Sequence, residues 1–352
     1  MENELVLKLE KSIEQIKDKK ARIYFFVQET KGNAKASIRY VYDFALALYK
    51  DGYNVIMLTE KPDFTPIDSW LAGEYSQIPH QPIEGGSLAI APEDLFFLPE
   101  IFGFVMEQVK NLPCAKIVIT QGYDYILETL QPGASWADFG FLKCITTSDI
   151  MKTKIMRTMT NISFDILEPL VSETFVEQVL PPKPIISVHS REQRDGINLI
   201  KEFYLRFPQY RWITFRDLRG VSEKDFAQSI KESFLSVWID PTSSWGSFPL
   251  ESMKVGVPVI GITPYLKHDW MNEENGIWIE NPMNLTDIIA DFVLNWLEDN
   301  ITPELIANGK ETAQIFSDRE NFNSKAKTIT EKIFNARERS FQEQLNRLKE
   351  TN

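Results

Sequence analysis

Apolar positions recur along this chain with two alternating periods. Leu5, Leu9, Ile13 and Ile16 fall at helical spacing among Glu and Lys, which predicts an amphipathic helix over residues 1–20. From Arg22 the pattern changes. Ile23 to Val27 reads as a strand, Gln28 to Lys35 as a loop, Ser37 to Asp51 as a helix closed by Gly52, and Val55 to Leu58 as the next strand. Such a β-loop-α-β unit opens a doubly wound sheet. Lys61 to Pro92 shows little periodicity and predicts loops and short strands. Leu95 to Leu98, Lys116 to Thr120 and Phe141 to Thr147 read as further buried strands, with helices over Ile101 to Asn111 and Ser148 to Met159. Three prolines between Leu180 and Ile185 then suggest a semi-stiff linker.

A second alternation follows. Strands are predicted over Ile185 to Val188, Trp212 to Phe215, Phe234 to Ile239, Val257 to Ile260 and Ile277 to Ile279, with intervening helices and a helix over Leu285 to Leu297. Ser222, with Asp225 three residues on, approaches a capping box, and residues from Thr302 onward read as helix throughout. The densest local signal is Asp240 to Gly261. Gly246 and Ser247 open a turn, Pro249 fits a first helical turn because its missing N–H is not needed there, and Gly256 stops the helix before a β-branched strand. The segment therefore presents a helix N-terminus at Ser247 to Leu250. Its backbone N–H groups and dipole suit a phosphate, and Glu251, one turn in, can accept from a ligand diol. Arg191, after the first strand of this half, supplies a guanidinium suited to diphosphate oxygens.

Aligned without gaps, Trp245, Gly246, Glu251, Ser252-Met253 and Gly256-Val-Pro-Val-Ile resemble the donor-binding signature of retaining glycosyltransferases of family 4, of the bacterial polysaccharide type. That resemblance implies an α/β fold of two Rossmann-like doubly wound domains facing a cleft (GT-B), with helical N- and C-terminal extensions. It implies an acceptor-side domain over 1–180, a linker at 181–184, a nucleotide-sugar domain over 185–300, and helices over 301–352 that cross back to the first domain or mediate a dimer contact. It implies transfer of a hexosyl or related sugar from a nucleotide diphosphate sugar to a glycan or lipid-linked acceptor, in bacterial surface glycan synthesis. Arg191 and Arg194 would hold the pyrophosphate, with Ser243, Trp245, Gly246, Ser247, Phe248 and Glu251 completing the donor site. Glu251 would take the ribose. The family has a sugar-binding Glu where this chain has Ser243, which leaves the sugar open. Gly32, Asn33 and Ala34, and Glu100, Gln121 and Tyr123, stand where the family lines its cleft; ordinary turn and capping roles are the alternative. An epimerase of the same fold, or an inactive scaffold, are the other readings.

Composition narrows these. In 352 residues, 43% hydrophobic and 25% charged content suits two folded domains. The net charge of −12 argues against general nucleic-acid binding, which needs Lys and Arg to neutralise phosphates. Cys114 and Cys144 form no metal-ligand spacing and point to packing in a reducing compartment. No phosphate-loop, Gly-x-Gly-x-x-Gly, His-Glu-x-x-His or Asp-x-Asp pattern occurs, so neither cofactor nor metal is expected. The chain shows no signal peptide and no run of 18 apolar residues, and a cytoplasmic protein is expected. Lys152, Lys154 and Arg157, beside Met151, Ile155, Met156 and Met159, either pack on their own sheet or touch anionic lipid at the inner membrane face.

Overall fold

The computed structural model describes residues 2–31, 35–64, 66–67, 69–71, 73–84, 88–177, 179–301 and 303–350. By internal contacts the chain divides into two units. One joins the residues up to Glu168 with those from Arg319 onward, and the other is Pro169–Asp318.

The first unit begins with α1 (Glu2–Lys17), β1 (Arg22–Phe26), α2 (Ala36–Lys50), β2 (Asn54–Thr59) and β3 (His80–Pro82). It continues through β4 (Leu95–Pro99), α3 (Gly103–Val109), β5 (Ala115–Ile119), α4 (Tyr123–Thr129), β6 (Phe141–Thr146), α5 (Asp149–Met156) and β7 (Ser163–Ile166). All seven strands are parallel, in the order β3-β2-β1-β4-β5-β6-β7. Covered on both faces, the central strands carry no polar side; every residue of β4 is buried. Phe25 and Phe97 stack at 4.6 Å between ring centroids, and Phe44 of α2 meets both edge-on at 5.3 and 5.4 Å. The predicted helix at Ile101 starts late, because Glu100–Phe102 form a 3-10 turn. Neither α4 nor β7 was predicted: seven residues and four residues are too few to display a period. Of the apolar residues of the basic helix, Met151, Ile155 and Met159 are buried, while Met156 is 52% exposed.

The second unit holds β8 (Lys183–Ser190), α6 (Gln193–Arg206), β9 (Thr214–Asp217), α7 (Glu223–Glu232), β10 (Ser233–Ile239) and α8 (Ser247–Val255). After them come β11 (Val259–Ile262), β12 (Ile277–Ile279), α9 (Leu285–Leu297) and α10 (Pro303–Ile315). Its parallel sheet has the order β12-β11-β10-β8-β9. Residues 169–177 and 179–182, placed by sequence in the first domain and its linker, belong to this unit instead. Val171 and Phe175 share a buried cluster with Leu218, Trp238 and Phe248, and the Lys254 ammonium donates to the carbonyls of Val171 and Ser172 at 3.3 and 3.0 Å. Pro184 lies inside β8 rather than in a linker. The register of β8 on β10 shifts between Ser233 and Leu235, and such an irregularity accommodates a residue without an N–H.

The chain then returns. The helix predicted to be continuous from Thr302 breaks after Ile315, and α11 (Arg319–Glu350) belongs to the first unit. On the near side of the break the carbonyl of Phe316 accepts from Val171 N–H at 2.8 Å. On the far side Arg319 donates at 2.9 Å to Asp43, a buried carboxylate that Tyr75 also meets at 2.7 Å. Further along, α11 lies against α1, burying Phe341 and Leu345 on one helix and Leu9, Ile13 and Ile16 on the other. No helix among the described residues is long and apolar enough to cross a membrane.

Candidate functional site

In the second sheet, β9 lies on one side of β8 and β10 on the other, so the strand order reverses between β8 and β10. Open parallel sheets bind ligands outside the carboxyl ends of the strands at such a reversal. β8 ends at Ser190, followed by Arg191, and β10 ends at Ile239, followed by Asp240. The backbone N–H of Arg191 donates to the Ile239 carbonyl at 3.0 Å, which ties the two strand exits together. The Arg191 guanidinium lies 3.7 Å from Asp240 Oδ1, and the same oxygen accepts from Thr242 N–H and Oγ1 at 3.2 Å each. Arg191 is thus aimed along the loop that leads to α8.

That loop is closed by Ser243. Its Oγ accepts from the Gly246 N–H at 3.0 Å, a short-range turn that a Glu side chain would not reproduce. Gly246 precedes α8 in the left-handed region, φ +79°, and a Cβ there would stand 2.9 Å from Trp270 Cζ2 and 3.4 Å from Trp238 Cη2. Glycine is required twice over, by backbone angle and by the indoles beneath. α8 then opens at Ser247. Pro249 has no N–H, and no carbonyl of the loop takes up the N–H groups of Ser247 or Phe248 among the described residues. Those donors and the helix dipole stand at the start of α8, which the chain enters from the carboxyl end of β10.

Trp245 and Phe248, expected in the donor site, turn into the core. Both side chains are buried in the unit's core; Phe248 stacks on His189 at 5.2 Å and Trp245 meets Phe316 edge-on at 4.9 Å. Glu251 is partly buried in the second turn of α8, and Arg194 is exposed on the first turn of α6. Asp240 and Thr242, which fix the Arg191 guanidinium and the loop, escaped sequence reasoning, although Asp-Pro-Thr after a strand is an Asx-turn signal.

The first sheet reverses between β1 and β4. Gly32, Asn33 and Ala34, expected in the loop after β1, lie outside the described residues. Glu100 follows β4 directly, and its carboxylate Oε1 accepts from the N–H groups of Gln121 and Gly122 at 2.8 and 2.7 Å. Only 2% of Glu100 is exposed, and burial pushes its carboxyl up to about 7 against those two donors. Tyr123 is buried with the Lys154 ammonium 5.1 Å above its ring, while Gln121 is half-buried. The structure brings Glu100, Gln121 and Tyr123 together, but it turns the Glu100 carboxylate into the fold.

No family model and no curated protein matches the chain. Among solved structures it is similar to sucrose-phosphate synthase from Thermosynechococcus elongatus, with TM-score 0.66 and 15% identity over 90% of this chain and 100% of that one. It is also similar to Anabaena HepE in complex with UDP and glucose, with TM-score 0.64 and 13% identity over 88% and 99% of the two chains. A glycosyltransferase from Rickettsia africae superposes with TM-score 0.59 and 13% identity over 89% and 98%. The fold is GT-B.

Beneath the loop before α8, this GT-B chain carries a histidine that no local pattern announced. His268 is 1% exposed, stacks on Trp270 at 5.7 Å and 13°, and has no hydrogen-bond partner on either ring nitrogen among the described residues. Burial pushes its imidazole down to about 3. An unfolded histidine takes up its proton near 6.5, so below that pH the unfolded chain holds one proton that the folded one refuses. The stability tied to neutral His268 is complete above about pH 6.5 and falls by about 1.4 kcal/mol per pH unit as pH drops toward 3. His268→Phe should accordingly gain about 2 kcal/mol over the native chain on moving from pH 7 to pH 5. Denaturant midpoints read by tryptophan fluorescence at the two pH values measure this. Equal pH slopes for the two proteins would show that His268 takes its proton in the folded state.

Proposed function

We propose that this chain is a glycosyltransferase that moves a hexosyl or related sugar from a nucleoside diphosphate sugar to an acceptor hydroxyl with retention of configuration. The observation that carries the reading is that Arg191 follows β8 and the loop into α8 follows β10, at the strand reversal of the second sheet, with the Arg191 guanidinium 3.7 Å from Asp240 at the start of that loop. A guanidinium donates paired, permanently charged hydrogen bonds, and a helix N-terminus adds backbone donors, which together suit a diphosphate. The GT-B fold supports this, as does the UDP held by a protein of similar fold.

In the proposed reaction the bond between the sugar and its phosphate breaks, the diphosphate gains negative charge, and the sugar gains positive charge. Donors already aimed at the diphosphate then stabilise the transition state more than the bound donor. Cationic and backbone donors take the part a metal plays where an Asp-x-Asp pattern is present, so transfer is proposed to be metal-independent. The second unit holds the donor in this reading, and acceptor recognition falls to the first, with bacterial surface glycan or its lipid-linked precursor as acceptor. Ser243 already accepts the Gly246 N–H. Sugar choice therefore does not rest on a carboxylate at that place.

Calorimetry with uridine, guanosine and cytidine diphosphate sugars, followed by product analysis, tests the reading. Binding with transfer or slow hydrolysis supports it; isomerised free sugar nucleotide would instead mark an epimerase, and no binding a scaffold. Glu251 gives a finer check. A carboxylate accepting ribose hydroxyls contributes about 1.5–3 kcal/mol per charge-assisted bond, whereas one that merely complements the helix contributes nothing to a ligand. Glu251→Gln should weaken UDP by about tenfold or more and leave 2′,3′-dideoxy-UDP unchanged. Equal losses for both ligands would remove Glu251 from the ribose.

A further inference from the structure

Glu100 holds the entry of a helix that cannot stand alone. Its carboxylate accepts from Gln121 and Gly122 at the start of α4, while at the exit Thr129 Oγ1 donates to the Tyr125 carbonyl at 2.7 Å and lies 3.1 Å from the Glu100 carbonyl. A seven-residue helix is far below the length that is stable by itself in water, so α4 depends on such anchors. The approach is close on the other side as well: a Cβ at Gly103 would stand 2.6 Å from Thr129 Oγ1.

We infer that Glu100 is a positioning residue whose carboxylate fixes the Gln121–Tyr123 segment at the carboxyl edge of the first sheet, and that protonation of this carboxylate loosens the segment. The geometry isolates it from other charges. Tyr40 of α2 and Cys144 of β6 face it, and burial holds each of them neutral by raising its pKa. The charged groups of α4 and α5 nearby, Asp124, Glu128 and Lys154, are not among the influences on its carboxyl, which are burial and backbone N–H groups alone. A carboxylate with two N–H donors accepts roughly twice as strongly as the neutral acid. Its raised pKa, about 7, places the change of strength in the neutral range. The sign is definite: the clamp is strongest above that pH and weakens as pH falls through it.

This inference rests on the glycosyltransferase reading for its consequence but not for its test. Amide proton shifts of Gln121 and Gly122 should titrate together with a midpoint near 7 in the native protein and stay flat in Glu100→Gln, which keeps the acceptor oxygen but cannot ionise. Glu100→Ala should lose at least about tenfold of hydrogen-exchange protection across α4; if it fails to fold, the Gln variant still decides. In activity, UDP-glucose turnover should lose its acid limb near pH 7 in Glu100→Gln while UDP affinity is unchanged in every variant. Amides that do not titrate, or an acid limb shared by native protein and Glu100→Gln, would overturn the inference. Titrating amides in a protein that neither binds nor turns over any of the uridine, guanosine and cytidine diphosphate sugars would uphold the clamp and count against the glycosyltransferase reading.

Discussion

On the proposed glycosyltransferase reading, Arg191→Ala is expected to raise the dissociation constant of a nucleoside diphosphate such as UDP by about 30- to 1000-fold, the equivalent of about 2–4 kcal/mol for losing a charged donor to a diphosphate. The fold should scarcely register the change. The hydrogen bond from residue 191 to the Ile239 carbonyl is made by backbone and survives truncation, and Asp240 keeps the N–H and hydroxyl of Thr242. The ion pair with Asp240 is long, 3.7 Å, with 29% of the arginine side chain exposed, so its loss costs less than about 1 kcal/mol of stability. Titration calorimetry with UDP, beside a denaturant curve of the empty protein, separates the two effects. Arg191→Lys should fall between native and Ala, because an ammonium keeps the charge but not the fork. Unchanged UDP affinity in the Ala variant would take Arg191 out of the donor site.

Gly246→Ala is expected to destabilise the second unit by about 2–5 kcal/mol, about 1–2 from a left-handed φ and about 1–3 from overpacking. The added methyl meets the Trp270 and Trp238 indoles, which are ring edges held in a packed cluster and not flexible chain ends. Relief requires the loop to move, and the loop sets where α8 begins. Binding of UDP should therefore suffer even at temperatures where the variant is folded. Thermal and denaturant unfolding of the variant, followed by tryptophan fluorescence, provide the measurement. A midpoint within experimental error of the native one would mean that the loop has room that the geometry denies.

Much of the second unit was legible because its signals are local. Pro249 inside the first turn and Gly256 after the last belong to backbone rules that depend on neighbours one to four residues away, and α8 runs from Ser247 to Val255, with Gly256 at φ +90°. Ser222 caps α7 as its spacing with Asp225 indicated, accepting from the Asp225 N–H at 3.2 Å. Strand runs such as 234–239 were visible because parallel strands covered on both faces read as nearly continuous apolar sequence, here interrupted only by Ser236. The likeness to a known signature pointed toward nucleotide-sugar chemistry, through residues that sit within a single strand-loop-helix-strand segment.

What only the tertiary structure decided involves partners distant along the chain. The first unit's boundary came out near Glu168 because Val171 and Phe175 found their burial among residues of α7, α8 and β10, while the prolines that suggested a linker were absorbed at a register shift. The break at 316–318 has no Gly or Pro, only Ser317 and Asp318 of the kind that precede a helix; there the Phe316 carbonyl accepts from Val171, and Arg319, just past the break, is held by Asp43, hundreds of residues earlier. Glu100 could be named from sequence but not assigned, because its role depends on Gln121 and Gly122 arriving from the next strand. His268 had no signal at all, since burial among Trp245 and Trp270 is a property of the folded cluster. Local backbone rules let the sequence set its own helices, strands and turns; which buried polar group faces which is fixed only when the chain closes on itself.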